Sequence, residues 1–301
     1  MNITKNLKYF FILPALLSIA AIIALTLWGL KPGIDLSGGS LLQVSYLGDR
    51  PTVEQIHTTI APLAFGEVRV QPTGDSGFIL RQRDLSNEEH TAFLKALGGF
   101  GAVTEEQFTS VGPSLGAELL RKAWVAIALV VVLTILFIAF AFRGVSKPIA
   151  SWKYGIVAIA TLLHDILIPA GLFALLGHFA GAEVDALFIV ALLTILGISI
   201  NDTIVVFDRI RENLRLNEEH RKREEFEEVI GRSIMQTLAR SINTSMTVII
   251  VLVALYFLGP IATKNFALTL IVGMVAGTYS SIFLASPLLV VWEKWSRKGV
   301  K

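Results

Sequence analysis

The run Gly197-Ile198-Ser199-Ile200-Asn201-Asp202-Thr203-Ile204-Val205-Val206-Phe207 closes an apolar stretch that begins at Leu187 and carries a single charge, Asp202. A helix needs roughly 20 apolar residues to cross a hydrocarbon core about 30 Å thick. Residues 187–207 therefore read as a membrane span, and Asp208, Arg209 and Arg211 mark where the chain returns to water. Five other largely apolar stretches have comparable length: residues 10–30, 123–142, 152–176, 241–258 and 266–292. Trp28, Trp124, Trp152, Tyr256, Trp292 and Trp295 stand at their edges, where amphipathic rings favour the headgroup layer. Six spans put both termini on one side of the membrane.

Composition agrees. Of 301 residues 53% are apolar and 17% charged, with a mean hydropathy of +0.65, which excludes a water-soluble enzyme or a disordered chain. The absence of cysteine removes disulfides, thiolate metal sites and thiol redox chemistry. A net charge of +2 is too small to argue for nucleic acid. The first apolar run follows Lys5 and Lys8 and continues to Leu30, so it reads as an uncleaved anchor rather than a signal peptide. Orientation follows from the short loops. Arg143, Lys147 and Lys153 crowd one of them, whereas the turn with Glu183 and Asp185 has no base. Positive charge marks the cytoplasmic side, as in the tail, residues 293–301, and the long basic loop, residues 208–240. This reading gives a cytoplasmic N-terminus and first helix in residues 1–30, an external domain in 31–122 and the remaining five helices in 123–292.

The external segment is predicted as a small α+β domain. Alternation over residues 41–47 suggests a strand, and Thr52 with Gln55 opens a helix through a capping box. Strands over 67–71 and 78–83 flank turn residues 72–77. Ser86 and Glu89 form a second capping box, for a helix stopped by Gly98 and Gly99, and a strand over 103–111 completes the order βαββαβ. That is the order of the ferredoxin-like fold. No grouping of His, Ser or Cys in it suits catalysis, and His57 reads as a surface helix residue.

An ionisable side chain at the centre of a membrane helix costs roughly 2.5 to 3.5 kcal/mol on the most lenient scale, so each one demands an account. Asp202 is about 9 Å of helix from Asp208, and Arg240 is about 27 Å of helix before Leu258, a comparable depth. An ion pair or shared water between the two is therefore expected to be within reach. His164 and Asp165 lie near the middle of the third span, and Pro169 frees the carbonyl of Asp165. Ser199, Asn201, Thr203, Asn243, Thr244 and Ser245 read as helix-packing groups, with Asn201 a supporting partner. Gly273, Ala276, Gly277 and Ser280 read as a close-packing face. The loop of residues 208–240, with Ile210, Leu214, Phe226, Val229 and Ile230 among its charges, is predicted as an amphipathic hairpin on the membrane surface.

Several of these stretches resemble one family. Gly33-Ile34-Asp35-Leu36-Ser37-Gly38-Gly39 resembles the GIDFxGG signature of the SecD/SecF protein-export membrane proteins, with Leu36 in place of Phe, and Val111-Gly112-Pro113-Ser114-Leu115-Gly116 resembles their VGPxxG. His164-Asp165 and residues 199–213, 236–244 and 277–283 are similar to the SecF-type members, in order along essentially the whole chain. The resemblance implies a bacterial inner-membrane subunit, a relative of the resistance-nodulation-division permeases. Such a subunit works with SecD beside the SecYEG channel and uses the proton-motive force to help draw unfolded preproteins across, with no cofactor, metal or covalent chemistry. It also implies that Asp202 handles protons with Arg240 as basic partner and that His164 and Asp165 support the relay, with Ser199, Asn201 and Asn243 as polar neighbours. Gly33, Asp35, Gly38, Gly39, Gly112, Pro113 and Gly116 fall at the domain hinges. The residues alone leave three alternatives: a proton-driven small-molecule exporter, an intramembrane hydrolase built on His164 and Asp165, and a structural subunit without transport.

Overall fold

Each apolar stretch is a helix, and the residue that ends it is usually the one that sequence chemistry supplies. In the computed structural model, which describes residues 7–63, 65–141 and 150–298, α1 (Leu7–Trp28) stops where Gly29 adopts φ 64°. The helix α6 (Ser151–Ala180) stops in the same way at Gly181, φ 68°. A left-handed residue after a helix is inexpensive only for glycine. Between them α5 (Pro113–Ala141) begins about ten residues before the predicted span, with Pro113 in the first turn, where its missing N–H removes no helical bond. Phe142, Arg143 and Lys147 lie outside the described residues, as do Lys5 and Lys301; for Lys8 and Lys298 only the helical backbone is described.

The fourth and fifth spans extend well past their apolar runs, as α7 (Ala186–Glu219) and α8 (Phe226–Leu258). This corrects the surface-hairpin expectation. Ile210, Phe226, Val229 and Ile230 are buried, and all but Val229 join one core with Tyr154, Phe207, Leu289 and Val290. The apolar stripe is thus taken up by neighbouring helices, which remove it from water more completely than a membrane surface would. The sixth stretch is α9 (Ile261–Ser280), a π-helical turn (Ser281–Ala285) and α10 (Ser286–Lys298). Among the described residues six helices are long and apolar enough to cross a membrane.

The described residues divide into two compact units: a helical one, and a second of residues 32–124 with 184–186. In the second, a short helix α2 (Ile34–Ser37) precedes β1 (Gly39–Tyr46), α3 (Val53–Ile60), β2 (Arg69–Thr73), β3 (Gly77–Gln82), α4 (Asn87–Leu97) and β4 (Val103–Val111). The antiparallel sheet has the order β2-β3-β1-β4. Alternation along β1 turns Leu42, Val44 and Tyr46 inward onto Ile56, Phe78, Phe93 and Leu97. Both capping boxes form: Thr52 with Gln55, and Ser86 with Glu89. His57 is exposed on α3.

Candidate functional site

The polar residues of the helical unit converge on a buried seam. Asp165 on α6 is wholly buried. Its Oδ2 accepts hydrogen bonds from Ser199 Oγ of α7 and from Ser280 Oγ of α9 at 2.8 Å, and its Oδ1 lies 2.9 Å from His164 Nδ1. His164 is buried too, and its Nε2 has no partner. One turn along α7 from Ser199, the Thr203 hydroxyl meets Ser281 at 3.0 Å. Small residues make this approach possible. A Cβ at Gly277 would lie 3.0 Å from Ser199 Cβ and 3.6 Å from Asp165 Oδ2, and one at Gly273 would collide with Ile195.

Asp202 occupies the same face of α7, three residues beyond Ser199, and is 5% exposed. Its hydrogen-bond donor is Ser245 Oγ of α8, at 3.4 Å from Oδ2. Thr278 Oγ1 lies 2.6 Å from Ser245 Oγ and 2.8 Å from the Met274 carbonyl, so its one proton serves one of them at a time. Asp202 is thus buried yet loosely held, at the end of a two-hydroxyl chain.

The structure does not bring Arg240 to Asp202. Ser233, Thr237, Ser241 and Ser245 recur every four residues along the buried stripe of α8, whereas Arg240 is exposed and, among the described residues, forms no ion pair with Asp202. Five residues separate Arg240 from Ser245, which turns it about 140° around the helix from the Asp202-facing side. Asn243 is exposed on α8 as well. Asn201 lies apart from both carboxylate networks: it is exposed and lines a groove of about 400 Å³ with Leu133, Thr134, Phe137 and Gly197. Ser245 and Ser280 carry more of the seam than their packing reading implied, and Thr278 and Ser281, which had no role of their own in the sequence reading, join them. Four consecutive hydroxyl side chains, residues 278–281, within an apolar span were the available signal. Among the described residues no three His, Cys, Asp or Glu side chains gather as a metal would require.

A second cluster lies in the α+β unit. Gly38, φ 77°, packs so closely that a Cβ would stand 2.7 Å from Pro113 Cα, and a Cβ at Gly116 would stand 2.7 Å from Gly38 N. At Gly39, φ 131°, a Cβ would stand 2.7 Å from the Gln82 carbonyl. The two glycine motifs are therefore one joint. Gly33 N donates to the Val184 carbonyl at 2.8 Å, and Asp35 Oδ2 accepts from Ala186 N at 3.2 Å. Asp35 thereby supplies a carboxylate to the first N–H of α7, where the helix dipole favours negative charge. A Cβ at Gly112 would meet Asp84 Oδ2 at 3.9 Å, an ordinary contact, so packing does not require glycine there.

The family model described as protein export membrane protein SecD/SecF, C-terminal, matches residues 92–295, which include both carboxylates and the seam around them. The chain belongs to the SecD/SecF family. A SecF protein translocase subunit of Thermobaculum terrenum is 45% identical, covering 94% of this chain and 91% of that protein. The SecDF translocase subunit of Bacillus subtilis is 33% identical over 97% of this chain, which spans only 38% of it. The crystal structure of Thermus thermophilus SecDF superimposes with a TM-score of 0.84 at 32% identity, over 98% of this chain and 39% of that one. In this SecD/SecF family member, Asp202 and Asp165 are held by different hydroxyls of the same helical unit.

Proposed function

We propose that the chain is a SecF-type subunit of the protein translocase that uses the proton-motive force to promote preprotein export, with Asp202 as its titrating group. The observation that carries this reading is an aspartate buried in a membrane helix yet bonded through one 3.4 Å hydroxyl contact. Such a group can change protonation without dismantling the packing, whereas Asp165 is bound into its surroundings. For scale, 100 mV acting on one charge supplies about 2.3 kcal/mol, enough to bias a two-state element roughly fifty-fold. Protonation of Asp202 shifts the arrangement of α7 against α8 and α9. The helix α5 is continuous from Pro113 to Ala141, so movement of its membrane half is carried by the backbone into the α+β unit.

The partner is SecD, with which the Bacillus subtilis and Thermus thermophilus relatives are fused. Arg240, Asn243, Thr244 and Thr247 form an exposed polar ridge on α8 at helical spacing, unfavourable against lipid and suited to a carboxylate-bearing helix of a second half. In this reading Arg240 works across that boundary. The SecYEG channel and unfolded preproteins complete the partners, in the bacterial inner membrane with both termini cytoplasmic. Residues 31–122 form the external domain, and its connectivity and strand order support a ferredoxin-like fold. The seam does not suit a Ser-His hydrolase, because Ser199 and Ser280 both donate to Asp165 and neither hydroxyl meets the His164 imidazole.

Asp202→Asn keeps size and hydrogen bonding while removing titration. In membrane vesicles holding the whole translocase, it should abolish the proton-motive-force-stimulated fraction of export while inserted protein stays at wild-type level. Wild-type stimulation by the variant would overturn the assignment.

A further inference from the structure

Where α7 and α8 leave the membrane they enclose a hollow of about 250 Å³. Arg209, Asn213, His220, Lys222, Arg232 and Gln236 line it, and no carboxylate does. Its walls are held by a ladder between the helices. Arg209 Nε donates to Gln236 Oε1 at 2.7 Å, Asn213 Nδ2 to Ser233 Oγ at 2.8 Å, and Arg232 Nη2 to Asn217 Oδ1 at 3.3 Å. Outside the lining, Glu212 pairs with Arg209 and Glu224 with Arg232, while Lys222 makes no ion pair among the described residues. His220 Nδ1 is taken by the Leu216 carbonyl at 2.8 Å, and Arg232 Nε has no acceptor. The hollow is therefore prearranged with donors and one free cation, and it lacks an acceptor of matching charge.

Its depth limits the source. Arg209 follows by two residues the end of the apolar run at Phe207, so the floor lies in the headgroup layer, which is roughly 5 to 8 Å thick. The rim at His220, one residue past the end of α7, is about 16 Å further out. The register of the neighbouring helices agrees. Glu225 and Glu227 at the start of α8 pair with Arg297 and Lys294 of α10, just beyond Trp292, whose ring meets Trp152 edge-on at 5.6 Å. We infer that this hollow between α7 and α8 binds a phosphate group, supplied by the headgroup of an anionic lipid at the membrane edge.

The test compares two adjacent charges. Lys222 lines the hollow and Arg223 does not; both are exposed and unpaired among the described residues, so Lys222→Gln and Arg223→Gln should fold alike. The purified full-length chain in detergent is titrated with short-chain phosphatidylglycerol, phosphatidylcholine and inorganic phosphate, with bound molecules counted by native mass spectrometry and melting followed in parallel. Phosphatidylglycerol should be preferred over phosphatidylcholine, and Lys222→Gln should weaken it about tenfold, as loss of a charge-assisted hydrogen bond does. Arg223→Gln should leave it within twofold. Inorganic phosphate bound with the same Lys222 dependence, without any lipid preference, would overturn the lipid source and assign the hollow to soluble phosphates. Equal effects of the two substitutions, or none from Lys222→Gln, would overturn the site itself.

Discussion

Asp165 and Asp202 are the same residue type, buried in the same helical unit on adjoining helices, and their surroundings differ. Asp165 engages two hydroxyls and an imidazole from three helices, which ties α6, α7 and α9 together. Asp202 accepts one long bond from a serine that is itself shared with Thr278. Burial alone thus does not make an acid a switch. The number and quality of its donors determine whether a protonation change is absorbed locally or breaks the packing.

The largest effect expected from this contrast is on folding. Asp165→Ala leaves the Ser199 hydroxyl and the His164 ring without their acceptor, while Ser280 keeps the Gly277 carbonyl at 3.1 Å, and each buried unsatisfied group costs about 1 to 3 kcal/mol. Melting in detergent should fall by several degrees with reduced insertion, while Asp202→Asn melts like the wild type. The reverse order would exchange the roles of the two acids.

Single hydroxyls sharpen the contrast at about 1 kcal/mol each. Ser280→Ala should lower stability by that amount and leave stimulated export per folded molecule unchanged. Ser245→Ala should leave melting unchanged and cut stimulated export severalfold, because it removes the group that positions the Asp202 carboxylate. If both substitutions act on stability alone, Asp202 is a packing residue like its neighbour.

The smallest effect lies in the α+β unit, where an acid serves purely structure. Glu89 closes the α4 capping box, and the Arg83 guanidinium, followed by the Ser86 backbone, lowers its pKa to about 2. An unfolded glutamate titrates near about 4.3, so the folded carboxylate is the more acidic one. Its contribution is fully present above the unfolded value and fades as pH falls toward 2. The side chain is partly exposed, which keeps the effect small. Hydrogen-exchange protection at the start of α4 should be lower in Glu89→Gln than in the wild type at pH 6, with the difference narrowing below about pH 4 and closing only as pH falls to about 2. A difference that stays undiminished down to about pH 2 would show that charge plays no part in the cap.

Local chemistry was legible in the sequence. The capping boxes at Thr52 and Ser86 depend on residues three apart, and Gly29 and Gly181 end helices through their own φ angles. Whether Asp202 meets Arg240 was not, because equal depth on two helices says nothing about the angle at which each side chain leaves its axis. The hairpin of residues 208–240 was only half legible: its helices follow from periodicity, but whether lipid or other helices cover Phe226 and Ile230 depends on what packs nearby.

The six spans, the burial of Asp202, the α+β unit and the family were determined by the sequence alone, since hydrophobic length, period and motif are properties of contiguous residues. Which hydroxyl meets which carboxylate was decided only by the tertiary structure. Ser199, Ser245, Thr278 and Ser280 are chemically alike on the page. Rotation of each helix and the close approach allowed by Gly273 and Gly277 give Asp165 its two serines and leave Asp202 with one distant donor.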